Sequence, residues 1–137
     1  MNALERMWAV LRPDGLLLDI RPAPQRPWVE VRRGESVAIL GQIDDSYRFG
    51  TLQVADAASQ TLVDAGRFVR ERDVTFTFVY HLESVDAWLN YMAEHWSSAS
   101  ISADVIARAY DALPPGVEGE VHIPRIIHAS RLRRLHR

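Results

Sequence analysis

The sequence contains no cysteine and no lysine. The absence of cysteine excludes disulfides, thiolate metal ligands and cysteine nucleophiles. Because all 16 basic residues are arginine, Schiff-base catalysis and the lysine of a phosphate-binding loop are excluded as well. We interpret this preference for arginine as the mark of a GC-rich genome.

Long apolar runs and a strong net charge are also missing. No segment reaches the roughly 18 apolar residues that cross a bilayer, and the N-terminus lacks a charged-then-apolar secretory pattern. We therefore expect a cytoplasmic protein. The formal net charge of −2 argues against nucleic-acid binding by the whole surface. A chain of 137 residues, 47% of them hydrophobic, has the size and composition of one domain with a usable core.

Apolar residues recur at helical spacing in some segments and alternate in others. Ser84 and Ser102 are predicted helix N-caps. In the strand that ends at Leu82, alternate residues including Phe76 and Phe78 form an aromatic face that has to be covered. The pattern predicts a helix, turn and strand over 1–22, a hairpin over 28–43, a helix over 51–66, a strand over 67–82, a helical segment over 84–113 and a strand over 117–130.

The segment Leu11-Arg12-Pro13-Asp14-Gly15-Leu16-Leu17-Leu18-Asp19 joins a helix to a strand through a tight turn. It resembles the part of Rossmann-like (class I) S-adenosylmethionine-dependent methyltransferases in which a helix, an L-R-P-G-G type turn and the fifth strand follow one another. Asp14 stands where that family usually has the first glycine. The resemblance implies an α/β fold with α+β character, a mixed sheet of about three to five strands with helices. Residues 16–20, 67–82 and 117–129 would be the last three strands of that fold, the final one running antiparallel.

The half of the family's fold that binds the cofactor has no counterpart in this sequence. That half depends on a glycine-rich turn after the first strand and on an acidic residue at the end of the second. No two glycines of this chain have glycine-x-glycine spacing at a strand-to-helix turn. The resemblance therefore implies no cofactor for the chain alone, and S-adenosylmethionine only where a partner supplies the missing half.

Without the neighbouring strands of the family, Leu16 to Ile20 becomes an exposed hydrophobic edge. Three arrangements would cover it: a homodimer, the hairpin over 28–43, or a companion chain that carries the missing half. We favour a homodimer through the Leu16–Ile20 edge, with the hairpin contributing. Such a dimer would be two-fold symmetric and self-complementary.

Asp19 and Arg21 lie at the carboxyl end of a strand, where ligands bind in open α/β sheets. The resemblance implies that this loop lines the acceptor-substrate pocket. With Trp28 and His81 these two residues form the candidate substrate pocket, in which His81 could act as a general base. A hydrogen-bonded or surface histidine on a strand is the commoner alternative.

No group of residues has metal-ligand spacing along the sequence. His122 and His128 share a strand face, but six residues separate them by about 20 Å, so they cannot chelate one ion. Asp44-Asp45 is interpreted as a charged turn, since it lacks the pattern of a calcium loop. The basic tail Arg131–Arg137 is interpreted as a frayed, solvated terminus, and no nucleic-acid or membrane partner is expected.

Three functions remain open from the sequence. The favoured one is a truncated methyltransferase-like protein without independent catalysis that serves as an oligomerisation or interaction module. The second is the C-terminal half of a split S-adenosylmethionine-dependent methyltransferase. The third is a small-ligand-binding protein that uses the acceptor pocket.

Overall fold

A computed structural model describes residues Ala3–His136. Met1 and Asn2 of the predicted 1–22 segment and Arg137 of the basic tail lie outside these residues. The helices are α1 (Ala3–Val10), α2 (Phe49–Asp64), α3 (Val85–His95) and α4 (Ala103–Ala112), and the strands are β1 (Leu16–Pro22), β2 (Trp28–Arg33), β3 (Ser36–Gln42), β4 (Phe68–Leu82) and β5 (Glu120–Arg134). The predicted α/β class with α+β character is confirmed.

The strands form one five-stranded sheet, within the expected range of strand number. β5 pairs with β1, where Ile20 faces Ala129, and also with β2, where Glu30 faces His122. β3 pairs with β2, and β4 pairs with β5. The pairs β1–β5, β2–β3 and β2–β5 are antiparallel. β4 also runs antiparallel to β5, because Glu71 contacts Arg133 while His81 contacts Glu120. The sheet in the described residues is therefore antiparallel rather than mixed. β5 runs antiparallel to β1, which is the direction that the family resemblance implies for the final strand.

The chain divides into two compact units. The first unit comprises the residues up to Pro24, Phe49–Phe76 and the residues from Ile127 onward, and the second comprises Gln25–Arg48 and Thr77–Ile126. The first unit contains α1, β1 and α2, whereas the second contains β2, β3, α3 and α4. β4 and β5 contribute residues to both units.

The first unit contains the predicted helix, turn and strand. Its core joins Leu62, Phe68 and Leu132, and apolar residues of α1, including Trp8, pack against them. In the turn, Asp14 has a φ of 60°. This left-handed conformation favours glycine but tolerates aspartate.

The second unit has the larger apolar core. Trp88 of α3 lies among buried side chains of the β2–β3 hairpin, α4 and β5, including Val29, Val105 and Ile123. Both predicted helix N-caps are confirmed, because the hydroxyl oxygens of Ser84 and Ser102 each accept a hydrogen bond from a backbone N–H of the first turn. Caps of this kind stabilise a helix by about 1 kcal/mol each.

The basic tail differs from the expected frayed terminus. β5 continues to Arg134, and within the first unit Glu71 forms ion pairs with Arg131 and Arg133. The hydrogen bond from Arg133 is the main reason that the pKa of Glu71 is lowered. His136 lies 2.8 Å from the Asp14 carboxylate, so these residues are held by local contacts.

The helices within the described part of the chain are all too short or too polar to span a membrane.

Candidate functional site

Asp19 and Arg21, two of the predicted pocket residues, lie two positions apart on β1 of the first unit. The alternation of a strand places both side chains on one face. Arg21 donates from Nε and Nη2 to the two carboxylate oxygens of Asp19, at 2.8 and 2.6 Å. Its guanidinium also lies 2.9 Å from Asp56 of α2, so β1 and α2 are joined by a charged network.

This network lines a cavity of about 620 Å³ within the first unit. Its charged side chains largely neutralise one another: Arg21 bridges Asp19 and Asp56, and Arg70 pairs with Asp73 at 3.5 Å. The cavity is therefore able to admit a small polar molecule but offers it no strong charge of one sign. Its lining residues are Asp19, Arg21, Pro22, Pro24, Leu52, Asp56, Ala57, Gln60, Arg70, Asp73, Thr75, His128 and Ser130.

Trp28 and His81, the other two predicted pocket residues, belong to the second unit. Trp28 is half exposed at the start of β2. His81 lies near the end of β4 and contacts Glu120 and His122 of β5, neither of which was predicted as a site residue. Asp19 and Arg21 therefore contact each other in the first unit, whereas His81 contacts Glu120 and His122 in the second.

The opposite face of β1 in the first unit is apolar and exposed. Leu16, Leu18 and Ile20 retain 46%, 64% and 61% of their accessible surface. With Val74 of β4, the side chains of Leu18 and Ile20 line a shallow groove, which Arg72 and Arg131 also border. The aromatic face of β4 was expected to be covered, yet Val74 and Phe76 remain exposed. The first unit therefore presents a largely apolar sheet face with no second layer among the residues that the structure describes.

The outer edge of β1 is also open. Among the strands of the described residues, β1 pairs only with β5. Unpaired N–H and C=O groups on such an edge can bond to another strand. The open edge and the exposed apolar residues occur on the same seven-residue strand.

In the second unit, the side chains of His81, Glu120 and His122 converge. His81 Nδ1 lies 3.3 Å from Glu120 Oε2, and His122 Nε2 lies 2.5 Å from the same oxygen. The hydrogen bond to His122, followed by the one to His81, lowers the pKa of Glu120. One nitrogen from each histidine and a carboxylate oxygen all lie within 4.8 Å of one another.

Sequence spacing alone did not reveal this cluster, because His81 and Glu120 are 39 positions apart. The local signal was the alternation Glu120-x-His122, which puts two ligand-type side chains on one strand face. Knowledge that β4 pairs with β5 was needed to add His81 to it.

Comparisons of the chain with protein-family models, with curated proteins and with solved structures find no match.

Proposed function

We propose that this chain is an oligomerisation module without catalytic activity of its own, and that the outer edge of β1 pairs with the same edge of a second copy. The observation that carries the proposal is the open edge of a strand whose alternate residues Leu16, Leu18 and Ile20 are exposed. An exposed hydrophobic edge promotes association unless a partner covers it.

The sequence of β1 is suited to self-pairing about a two-fold axis. If two copies of β1 pair antiparallel with the axis at Leu18, Leu18 faces its own copy and Leu16 faces Ile20 of the other chain. Each apolar cross-strand pair contributes roughly 0.2 to 1 kcal/mol. A two-fold contact of this kind is closed, so association stops at the dimer.

The proposed ancestry is methyltransferase-like, and two observations support it. The segment Leu11–Asp19 resembles the helix, turn and fifth strand of that family, and β5 runs antiparallel beside β1 as the resemblance implies. The split-enzyme alternative has the same ancestry, but there the edge of β1 would pair with a companion chain that supplies the cofactor site.

Replacement of Leu18 by lysine is expected to dissociate the dimer. The change removes the central apolar pair and places two like charges opposite each other, which is unfavourable on a strand pair. We expect the dimer dissociation constant to rise at least about tenfold, equivalent to ~1.4 kcal/mol. Light scattering during size-exclusion chromatography over a range of protein concentrations measures this change.

Ile39→Lys is the matched control. Ile39 has the same 64% exposure as Leu18 but lies on β3, the outer strand of the hairpin in the second unit. The proposal requires this variant to remain a dimer. A monomeric wild-type chain at all concentrations, or a dimer that Ile39→Lys dissociates and Leu18→Lys does not, contradicts it. The first of these results would favour the companion-chain alternative.

A further inference from the structure

We propose that His81, Glu120 and His122 form a binding site for one divalent transition-metal ion of the zinc type. The three side chains come from two paired strands of the second unit. Glu120 and His122 are two positions apart on β5 and therefore share a face. His81 reaches the same place from β4, and its ring centroid lies 4.2 Å from that of His122.

The backbone around these ligands is held by the core. Val121 and Ile123, which flank His122, are completely buried. Tyr80 and Leu82, which flank His81, pack against the same apolar core. The strands are thus anchored on one face while the three ligand side chains project from the other. Ligands on rigid strands lose little conformational freedom when they bind an ion.

The distances between ligand atoms are close to those of a metal site. Ligand atoms at about 2.0 to 2.2 Å from a tetrahedral zinc ion lie about 3.3 Å from one another. The separation of His81 Nδ1 and Glu120 Oε2 is 3.3 Å. The 2.5 Å contact of His122 with Glu120 would have to widen by roughly 0.8 Å to reach that spacing, which a small side-chain rotation provides.

The donor set indicates the class of metal. Two imidazoles and one carboxylate suit zinc and its neighbours in the first transition series, whereas calcium and magnesium prefer sites made of oxygen ligands. Three protein ligands leave at least one coordination position for solvent, as in open zinc sites. His122 is buried, while His81 and Glu120 are about half exposed, so an ion has access from solvent.

The surroundings of the site add negative charge. Glu120 and His122 line an open pocket of about 600 Å³ that also contains the carboxylates of Glu83 and Glu118. The one arginine in its lining, Arg32, is paired with Glu30 at 3.3 Å. The pocket therefore has an excess of carboxylates, which attracts a cation.

Titration of the full chain with zinc chloride tests the proposal. Isothermal calorimetry on chelator-treated protein is expected to show one zinc ion per chain, and excess magnesium should not compete. Glu120→Gln keeps an oxygen that accepts hydrogen bonds from both histidines but removes the charge. We expect it to bind zinc at least about tenfold more weakly, and to unfold at the wild-type temperature when no metal is added. His81→Ala and His122→Ala should lose binding as well.

His95→Ala is the matched control, since His95 is an exposed histidine of the same unit that lies next to Tyr91. It should bind zinc like the wild type. Cobalt gives an independent readout, because a four- or five-coordinate ion produces visible bands far stronger than those of hydrated cobalt. In Glu120→Gln these bands should require at least about tenfold more cobalt to develop. The proposal is overturned if the wild type binds no zinc, if Glu120→Gln binds zinc as tightly as the wild type, or if His95→Ala weakens binding as much as Glu120→Gln does.

Discussion

Asp45→Ala is expected to destabilise the protein by about 3 to 5 kcal/mol, because it leaves a buried arginine without its counter-ion. Asp45 and Arg125 retain only 2% and 3% of their accessible surface. The Asp45 carboxylate accepts a hydrogen bond of 2.5 Å from Arg125 Nη2. The guanidinium carbon also lies 5.0 Å from the centre of the Trp96 ring. The loss is measurable as a shift in the midpoint of denaturant unfolding.

The double variant Asp45→Ala with Arg125→Met provides the control. Asp45 Oδ1 and the Nε and Nη1 atoms of Arg125 are buried without hydrogen-bond partners in the described residues, so the pair does not satisfy all its polar atoms. Replacing a buried ion pair by apolar residues is often neutral or stabilising. We therefore expect the double variant to have a free energy of unfolding about 2 kcal/mol or more above that of Asp45→Ala alone. If the double variant is the less stable one, the cost of Asp45→Ala does not arise from an uncompensated charge.

Local signals in the sequence were sufficient to predict most of the helices and strands. The serines at positions 84 and 102 cap α3 and α4 as expected. The segment Gly34-Glu35 forms the turn of the predicted hairpin, with Gly34 at a φ of 56°. These features depend on residues within a few positions of one another, so a single sequence contains the necessary information.

The pairing partners of charged residues could not be predicted in the same way. The Asp44-Asp45 pair was interpreted as a charged turn, although Asp45 binds Arg125 from 80 positions away. One signal did point to this contact: Arg125 alternates with Val121 and Ile123 on the apolar face of β5. An arginine at such a position requires a buried acceptor, but the sequence does not say which carboxylate supplies it.

The same limit applies to the candidate sites. The helix, turn and strand at the start of the chain predicted an open edge, and β1 does have an edge that no described strand covers. His81 was predicted as a site residue from its position on the strand and from the family resemblance. Its partners Glu120 and His122 depend on which strands are neighbours in the sheet, and that pairing is a long-range property.

Trp88→Ala is expected to cost about 3 to 5 kcal/mol of the free energy of unfolding, because Trp88 is completely buried and its removal leaves a large cavity. Trp88→Phe should differ from the wild type by only about 1 kcal/mol. The indole N–H of Trp88 has no hydrogen-bond partner among the described residues. An unpaired buried donor costs about 1 to 3 kcal/mol. Trp88→Phe therefore has two opposing effects, because it reduces the buried apolar volume but removes the unpaired donor.

Trp28 serves as the control for Trp88, because it is half exposed. Trp28→Ala should cost clearly less than Trp88→Ala, since a smaller apolar area returns to water. Denaturant titrations of the four proteins, the wild type and the three variants, measure these differences. A loss at Trp88→Phe as large as that at Trp88→Ala would contradict the expectation that the unpaired indole N–H offsets part of the benefit of burying Trp88.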